Sequence, residues 1–263
     1  MENIIRNIGR KFIATALFHH GYFAFSNKVL KTFLKMKFFN PAVFMITVRQ
    51  IYFTGVQILP MYIIVSLVMG VALVGALSQA VDALGGIDQL GRFMVVLTMK
   101  ELAPLVTALF IALRSSSAVT AEISLMNINR EIASLKSLSI DPYEYLYLPR
   151  ILAGIISMMA LSTIFVCVSV IGGYFILSFL QDLSLDYMLT TIFDNFELFD
   201  ILAFLIKTTF LGFALMSIPI YTALDTKEAV TEIPIALTRG MMRIFYSFII
   251  IEIFTVLLGV YLL

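Results

Sequence analysis

The chain alternates long uncharged stretches with short charged ones. No residue from Gln50 to Val81 carries a charge, and none does from Ile151 to Leu180. Each stretch exceeds the roughly 20 residues that a helix needs to cross a bilayer. Apolar side chains follow one another without the alternation of a strand, so helices rather than a closed barrel must satisfy the backbone in lipid. The pattern predicts five spans, at 56–79, 93–116, 148–180, 201–224 and 243–263. The third is longer than a crossing requires and contains Gly172-Gly173, which marks a bend or a close helix contact. The expected fold is all-α and polytopic: one membrane domain over 1–263, whose residues 1–50 form an amphipathic N-terminal region.

That region has its own periodicity. Ile4, Ile8 and Phe12 recur at helical spacing with Arg6, Arg10 and Lys11 off their face. Lys28, Lys31 and Lys35 then stand opposite Leu30, Phe33 and Leu34. A basic amphipathic helix in the inner-leaflet interface fits this pattern, and so does a helix packed against the bundle. The apolar run Phe12 to Phe18 is too short for a signal peptide and lacks a small-residue cleavage site, so none is expected.

Composition strengthens the membrane reading. Charged residues make up 13% of the chain, against about 25% in soluble domains, and mean hydropathy is +0.99. The net charge of +1 says little, but its distribution orients the chain. Eight Lys and Arg residues precede Gln50, the last being Arg49. Arg130, Lys136 and Arg150 follow span two, and Lys227, Arg239 and Arg243 follow span four. Segment 181–200 instead carries Asp182, Asp186, Asp194, Glu197 and Asp200 with no basic residue. The positive-inside rule puts the N-terminus and the 117–147 and 225–242 segments in the cytoplasm. The 80–92 and 181–200 loops and the C-terminus face outward, with Arg92 a minor exception.

Most catalytic chemistry lacks its residues. The sequence has no Walker A pattern, no HExxH and no cysteine cluster, and Cys167 stands alone in an apolar helix. Neighbouring His19 and His20 point apart on a helix, so no metal site is expected, nor any cofactor. Transport by a chain without its own nucleotide site remains. "NINREIASLKSLSIDP" (127–142) reads as a short amphipathic helix over 127–141, with Ile128, Ile132, Leu135 and Leu138 on one edge and Arg130, Glu131 and Lys136 elsewhere. Asp141-Pro142 ends it, since a residue before proline avoids the helical region. Such a helix suits force transmission from a separate ATPase; it also suits simple packing under the bundle.

"KELAPLVTALFIALRSSSAVTAEISLMNINREIASLKSLSIDPYEYLYLPRILAG" (100–154) resembles the signature region of the MlaE family of ABC-transporter permeases. Glu101, Leu102, Pro104, Arg114, Ala121, Glu122, Met126, Glu131, Asp141, Pro142, Pro149 and Arg150 match that pattern in order and spacing. "VRQIYFTGV" (48–56) resembles the family's entry to its first span, and Thr238-Arg239 a pair near its last. Lys100 stands where the family has Arg, which keeps charge but loses bidentate geometry. Ala103 replaces Gly, and "TKEAVTEIPIALTRG" (226–240), with Pro234, replaces a glycine-rich loop.

The resemblance implies a homodimeric permease of the bacterial inner membrane that moves phospholipid between membranes. It further implies two copies of a cytoplasmic ABC ATPase that binds the ATP, an MCE-domain protein on the outer side, and in some systems a STAS-domain protein. No nucleic-acid partner is implied. Arg130, Glu131, Ile132, Leu135, Lys136 and Asp141 become the candidate ATPase-coupling residues.

Within span two, Lys100 and Glu101 lie roughly 10 Å from the outer end at 1.5 Å per residue. A charge facing lipid there costs about 2.5–3.5 kcal/mol on insertion scales. Pro104 cannot donate to the carbonyl of residue 100 and should kink the helix. Lys100, Glu101 and Pro104 are therefore expected to line the outward end of a lipid cavity, with Tyr52, Leu67 and Val74 as walls. The competing reading is a structural ion pair of Glu101 with Lys100 or Lys207. Arg114 and Glu122 are read as supports, and Glu252 as the partner of a buried cation or a proton relay. An ion-coupled secondary transporter using Glu101 and Glu252 is the alternative function, although no inverted repeat supports it.

Overall fold

The computed structural model describes residues 2–35, 40–84, 96–181, 198–226 and 229–262. Among them five helical segments are long and apolar enough to cross a membrane: Pro41–Leu77, Val96–Ile128, Tyr143–Ile176, Leu198–Ala223 and Val230–Leu258. They are called the first to fifth spans below. No strand occurs among the described residues.

The five spans predicted from hydropathy are present, and all but the fourth extend further at the end predicted to be cytoplasmic. The first begins at Pro41 rather than 56 because Asn40 caps it: its side-chain oxygen accepts from the Ala42 N–H at 3.1 Å, and Pro41 sits where its missing N–H is harmless. Arg49 interrupts the hydropathy of this helix without ending it, since a long guanidinium stem can lie along apolar surface. The loops expected to face outward, 80–92 and 181–200, fall largely outside the described residues, as does Lys227.

Small side chains decide how closely the spans approach. A Cβ on Gly173 would sit 2.7 Å from the Gly70 carbonyl carbon, and one on Gly70 would collide with Ser169 backbone. The first and third spans therefore cross backbone to backbone, and Gly172-Gly173 marks a contact. Gly212 plays the same part between the fourth and third spans, where a Cβ on it would sit 2.7 Å from the Ile155 Cα. Without a hydrophobic force between helices in lipid, such close packing supplies the attraction. Gly173→Val is expected to destabilise the chain by about 1–3 kcal/mol, as overpacking does. Thermal unfolding in detergent checks this, and an unchanged midpoint would refute the seam.

Hydrogen bonds reinforce these seams. Thr107 donates to the Ala103 carbonyl at 2.6 Å, which leaves its oxygen to accept from Tyr62 at 2.5 Å and from Ser162 at 3.0 Å. One buried threonine so links the first three spans. The fourth span is the most enclosed, 56% buried in its apolar window, against 6% for the fifth. The fifth thus lies on the outside, and lipid or another chain must cover it.

The N-terminal helix, Glu2–Leu34, packs with Phe25, Val29 and Thr32 inward. Phe25 meets the rings of Tyr143, Tyr147 and Tyr221, and the Tyr22 hydroxyl pairs with Ser217 at 2.7 Å. Burial pushes the Tyr22 hydroxyl above its ordinary pKa, against the hydrogen bond to Ser217. Leu30, Phe33 and Leu34 are exposed together with Lys28, Lys31 and Lys35. The packed stripe is therefore a third face, and the apolar-basic surface read from the sequence stays exposed, with the Lys28 ammonium 4.0 Å from the Tyr143 ring centre. The side chains of Ile4, Arg6, Ile8, Arg10, Lys11 and Phe12 lie outside the described residues.

Candidate functional site

The charges of "MKELAPL" lie in a π-helical stretch, Val96–Leu102, which tightens into an α-helix at Ala103. Pro104 explains the change of winding. It has no N–H for the Lys100 carbonyl, and a wide turn is one way a helix absorbs such a gap. The freed carbonyl finds another donor: the Lys207 ammonium of the fourth span, at 2.5 Å.

Lys207 is the hub of the site. It is 5% exposed, and besides that carbonyl it donates to Glu101 at 3.2 Å and to Glu252 of the fifth span at 2.6 Å. Three donors of one ammonium thus meet three acceptors, which is the full capacity of the group. Beside it Lys100 pairs with Asp200 at 2.5 Å, and that carboxylate is 1% exposed. Two lysines and three carboxylates from the second, fourth and fifth spans form one cluster.

Exposure separates the members. Asp200 and Lys207 are enclosed, whereas the Glu101 side chain is 41% exposed and Glu252 23%. Glu101 therefore has an ion-pair partner on one side and an open face on the other. Of the two structural pairings considered for it, the structure forms Glu101 with Lys207 and not with Lys100. Glu252 is the partner of a buried cation, as the first of its two readings required.

The proposed walls are not gathered here. Val74 is fully buried against Gly173 in the seam of the first and third spans, so it faces no cavity. Leu67 packs in the same seam, against Gly172. Tyr52 lies near the opposite end of the second span, since its neighbour Phe53 accepts from Arg114 at 3.3 Å. Arg114 is 13 residues beyond Glu101, roughly 20 Å along a helix. Sequence spacing alone does not fix which depth of an antiparallel neighbour a residue meets.

Sequence reasoning placed Asp200 in the acidic outer segment, and the structure places it inside the fourth span as the partner of Lys100. Lys207 carried a signal: it is the lone basic residue between Arg150 and Lys227. A solitary lysine inside an apolar span needs a partner.

The connecting helix is shorter than read, Glu131–Ser137 rather than 127–141. Asn127 and Ile128 finish the second span, and Arg130 adopts a left-handed φ of 59° that breaks the helix there. Asn127 ties this corner to the chain just beyond the fourth span, donating to the carbonyls of Leu224 at 3.1 Å and Thr226 at 2.6 Å. Ile132 is buried and Leu135 half-buried, while Arg130, Glu131 and Lys136 are exposed. Leu138, expected on the apolar edge, is 70% exposed. Asp141 ends the segment by accepting from the Tyr143 N–H at 3.0 Å. Among the described residues no group of three metal-ligating side chains is present.

Comparison with known proteins places this geometry. A probable ABC transporter permease protein of Rickettsia felis is 28% identical over 250 residues, 92% of each chain. The intermembrane phospholipid transport system permease protein MlaE of Haemophilus influenzae is 35% identical over 130 residues, 49% of this chain and 50% of that one. A probable ABC transporter permease protein of Synechocystis is 27% identical over 166 residues, 63% of each. The family model described as Permease MlaE matches residues 47–258, from the first span through the fifth, and the chain belongs to that permease family.

Proposed function

We propose that this chain is the membrane subunit of an ABC transporter that moves phospholipid between membranes, driven by a separate cytoplasmic ATPase. The observation that carries the reading is the half-exposed Glu101 beside the buried Lys207, within spans that are otherwise apolar. An amphiphile needs such a surface: charge for its headgroup and apolar wall for its chains. The same exposure argues for a homodimer, because a carboxylate facing lipid is costly and a second copy across the fifth span would enclose it. The chain then sits in the bacterial inner membrane with its N-terminus cytoplasmic and its C-terminus periplasmic. An MCE-domain protein on the outer side, and in some systems a STAS-domain protein on the ATPase, complete the assembly. ATP binds the partner, and this chain needs no cofactor of its own.

Leu138 and Ile140, exposed just beyond the connecting helix, present with Lys136 of its last turn the apolar-basic surface through which an ATPase would grip. Purification of the tagged chain from its native membrane in mild detergent should bring an ATPase in equal amount, together with phospholipid. Leu138→Asp or Glu131→Lys should reduce the bound ATPase about tenfold or more, as loss of an interface anchor does. A chain that arrives without ATPase, under conditions that preserve other ABC complexes, would favour the ion-coupled carrier using Glu101 and Glu252.

A further inference from the structure

A polar cavity, of about 510 Å³, opens at the opposite end of the second span from the Lys207 cluster. It lies between the start of the first span, the second span around Arg114 and the start of the third. Its wall carries Arg49, Arg114 and Arg150 against the single carboxylate of Glu122, together with Gln50 and Gln57. Three guanidinium groups facing one acid leave a surplus of positive charge.

The arginines are not equally occupied. Arg150 is 4% exposed; it donates to Glu122 at 2.6 Å and to the Leu146 carbonyl at 2.9 Å, while its Nε is buried without a hydrogen-bond partner. Arg114 gives one of its five N–H groups to the Phe53 carbonyl. Arg49 has its guanidinium carbon 5.7 Å from the Phe53 ring centre. Arg49 and Arg114 are both exposed, so their remaining donors are open to a ligand of complementary charge.

Local winding supports a built site. Two further π-helical stretches, Ala112–Ser116 and Tyr143–Tyr147, supply cavity residues Arg114, Ser115, Tyr145 and Leu146. Such stretches are rare and cluster at functional sites because they re-aim side chains. Arg49 and Phe53 also border an adjoining open groove with Phe44, Met45, Val48 and Tyr52. A cationic cavity and an apolar groove thus share two residues.

We propose that this cavity is a second ligand site, which takes the phosphate of a glycerophospholipid between Arg49 and Arg114 and lays an acyl chain along Phe44, Met45, Val48 and Tyr52. Planar guanidinium groups bind phosphate oxygens bidentately, which favours this anion over an uncharged polar headgroup. That the lipid is also cargo rests on the transport reading above; the phosphate chemistry does not. The site gives Tyr52 a role at the end of the bundle where the structure places it.

The test uses the full chain with its native partner subunits in phosphatidylcholine nanodiscs, and a phosphatidylglycerol probe with a photoactivatable group in its acyl chain. Mass spectrometry should find the label on residues 44–53. The Arg49→Gln/Arg114→Gln double variant should lower that label about tenfold, as loss of charge-assisted hydrogen bonds does. Glu122→Gln removes the sole carboxylate and should raise it. Equal labelling in wild type and the double variant, with unchanged thermal unfolding, would overturn the site. Loss of the label on adding millimolar inorganic phosphate would overturn the lipid as occupant and leave free phosphate. Transport that persists when this label is absent would leave the transport reading standing, whereas label at 44–53 without any lipid transfer would sink the transport reading alone.

Discussion

Lys207→Met should destabilise the chain by about 3–5 kcal/mol, the usual cost of removing one member of a buried ionic network. The side chain is 5% exposed and serves acceptors from two other spans. Its loss leaves Glu101 and Glu252 facing each other without their shared cation, and the Lys100 carbonyl without the donor that Pro104 cannot be. Methionine fills the volume, so the expected loss is electrostatic and not a cavity. Two companions test this. Lys207→Arg keeps the charge but replaces a compact ammonium with a planar fork, and should recover only part of the stability. Lys207→Met with Glu252→Met removes the pair together and should also recover part, because a buried ion pair replaced whole by apolar side chains costs little. The checks are the thermal midpoint in detergent and the yield of extracted protein. A Lys207→Met chain as stable as wild type would show that the cluster does not hold the three spans together.

The fold was legible because the physics of crossing a bilayer acts on composition, one residue at a time. Twenty uncharged residues report a span wherever they occur, and Gly172-Gly173 reports a close approach whatever the partner. The partner itself is not local information. Gly70 meets Gly173, and Lys100 meets Asp200, through the register of antiparallel helices that hydropathy does not encode. Val74 and Tyr52 were placed beside Glu101 for the same reason: apolar character identifies a wall residue but not its depth or its face. The connecting helix was shortened by Arg130, whose left-handed backbone no propensity for arginine would suggest. The lone Lys207 could have been read as the hub from its isolation in an apolar span. The cationic cavity was harder to see, because Arg49, Arg114 and Arg150 lie on three different spans.

Glu101→Gln should leave folding and ATPase association intact while lipid transfer falls about tenfold or more, the scale expected when a charge-assisted contact to a ligand becomes a neutral one. Glutamine keeps the size of the side chain and an oxygen that can still accept from Lys207, and Glu252 remains to neutralise that lysine at 2.6 Å. Structural damage should therefore be small. Asp200→Asn is the contrasting variant. Asp200 is 1% exposed and holds the partly buried Lys100, so its neutralisation leaves that lysine without its counter-charge and should lower the thermal midpoint before it affects cargo. If the cluster were only a clamp, the two variants would behave alike, with transfer falling in step with stability in both. If Glu101 meets the cargo, transfer and stability separate in Glu101→Gln and move together in Asp200→Asn. Measuring both quantities on both variants, in proteoliposomes carrying the ATPase and its outer partner, decides between them. Normal transfer by Glu101→Gln would return Glu101 to a purely structural role and leave the half-open face of the cluster without a ligand.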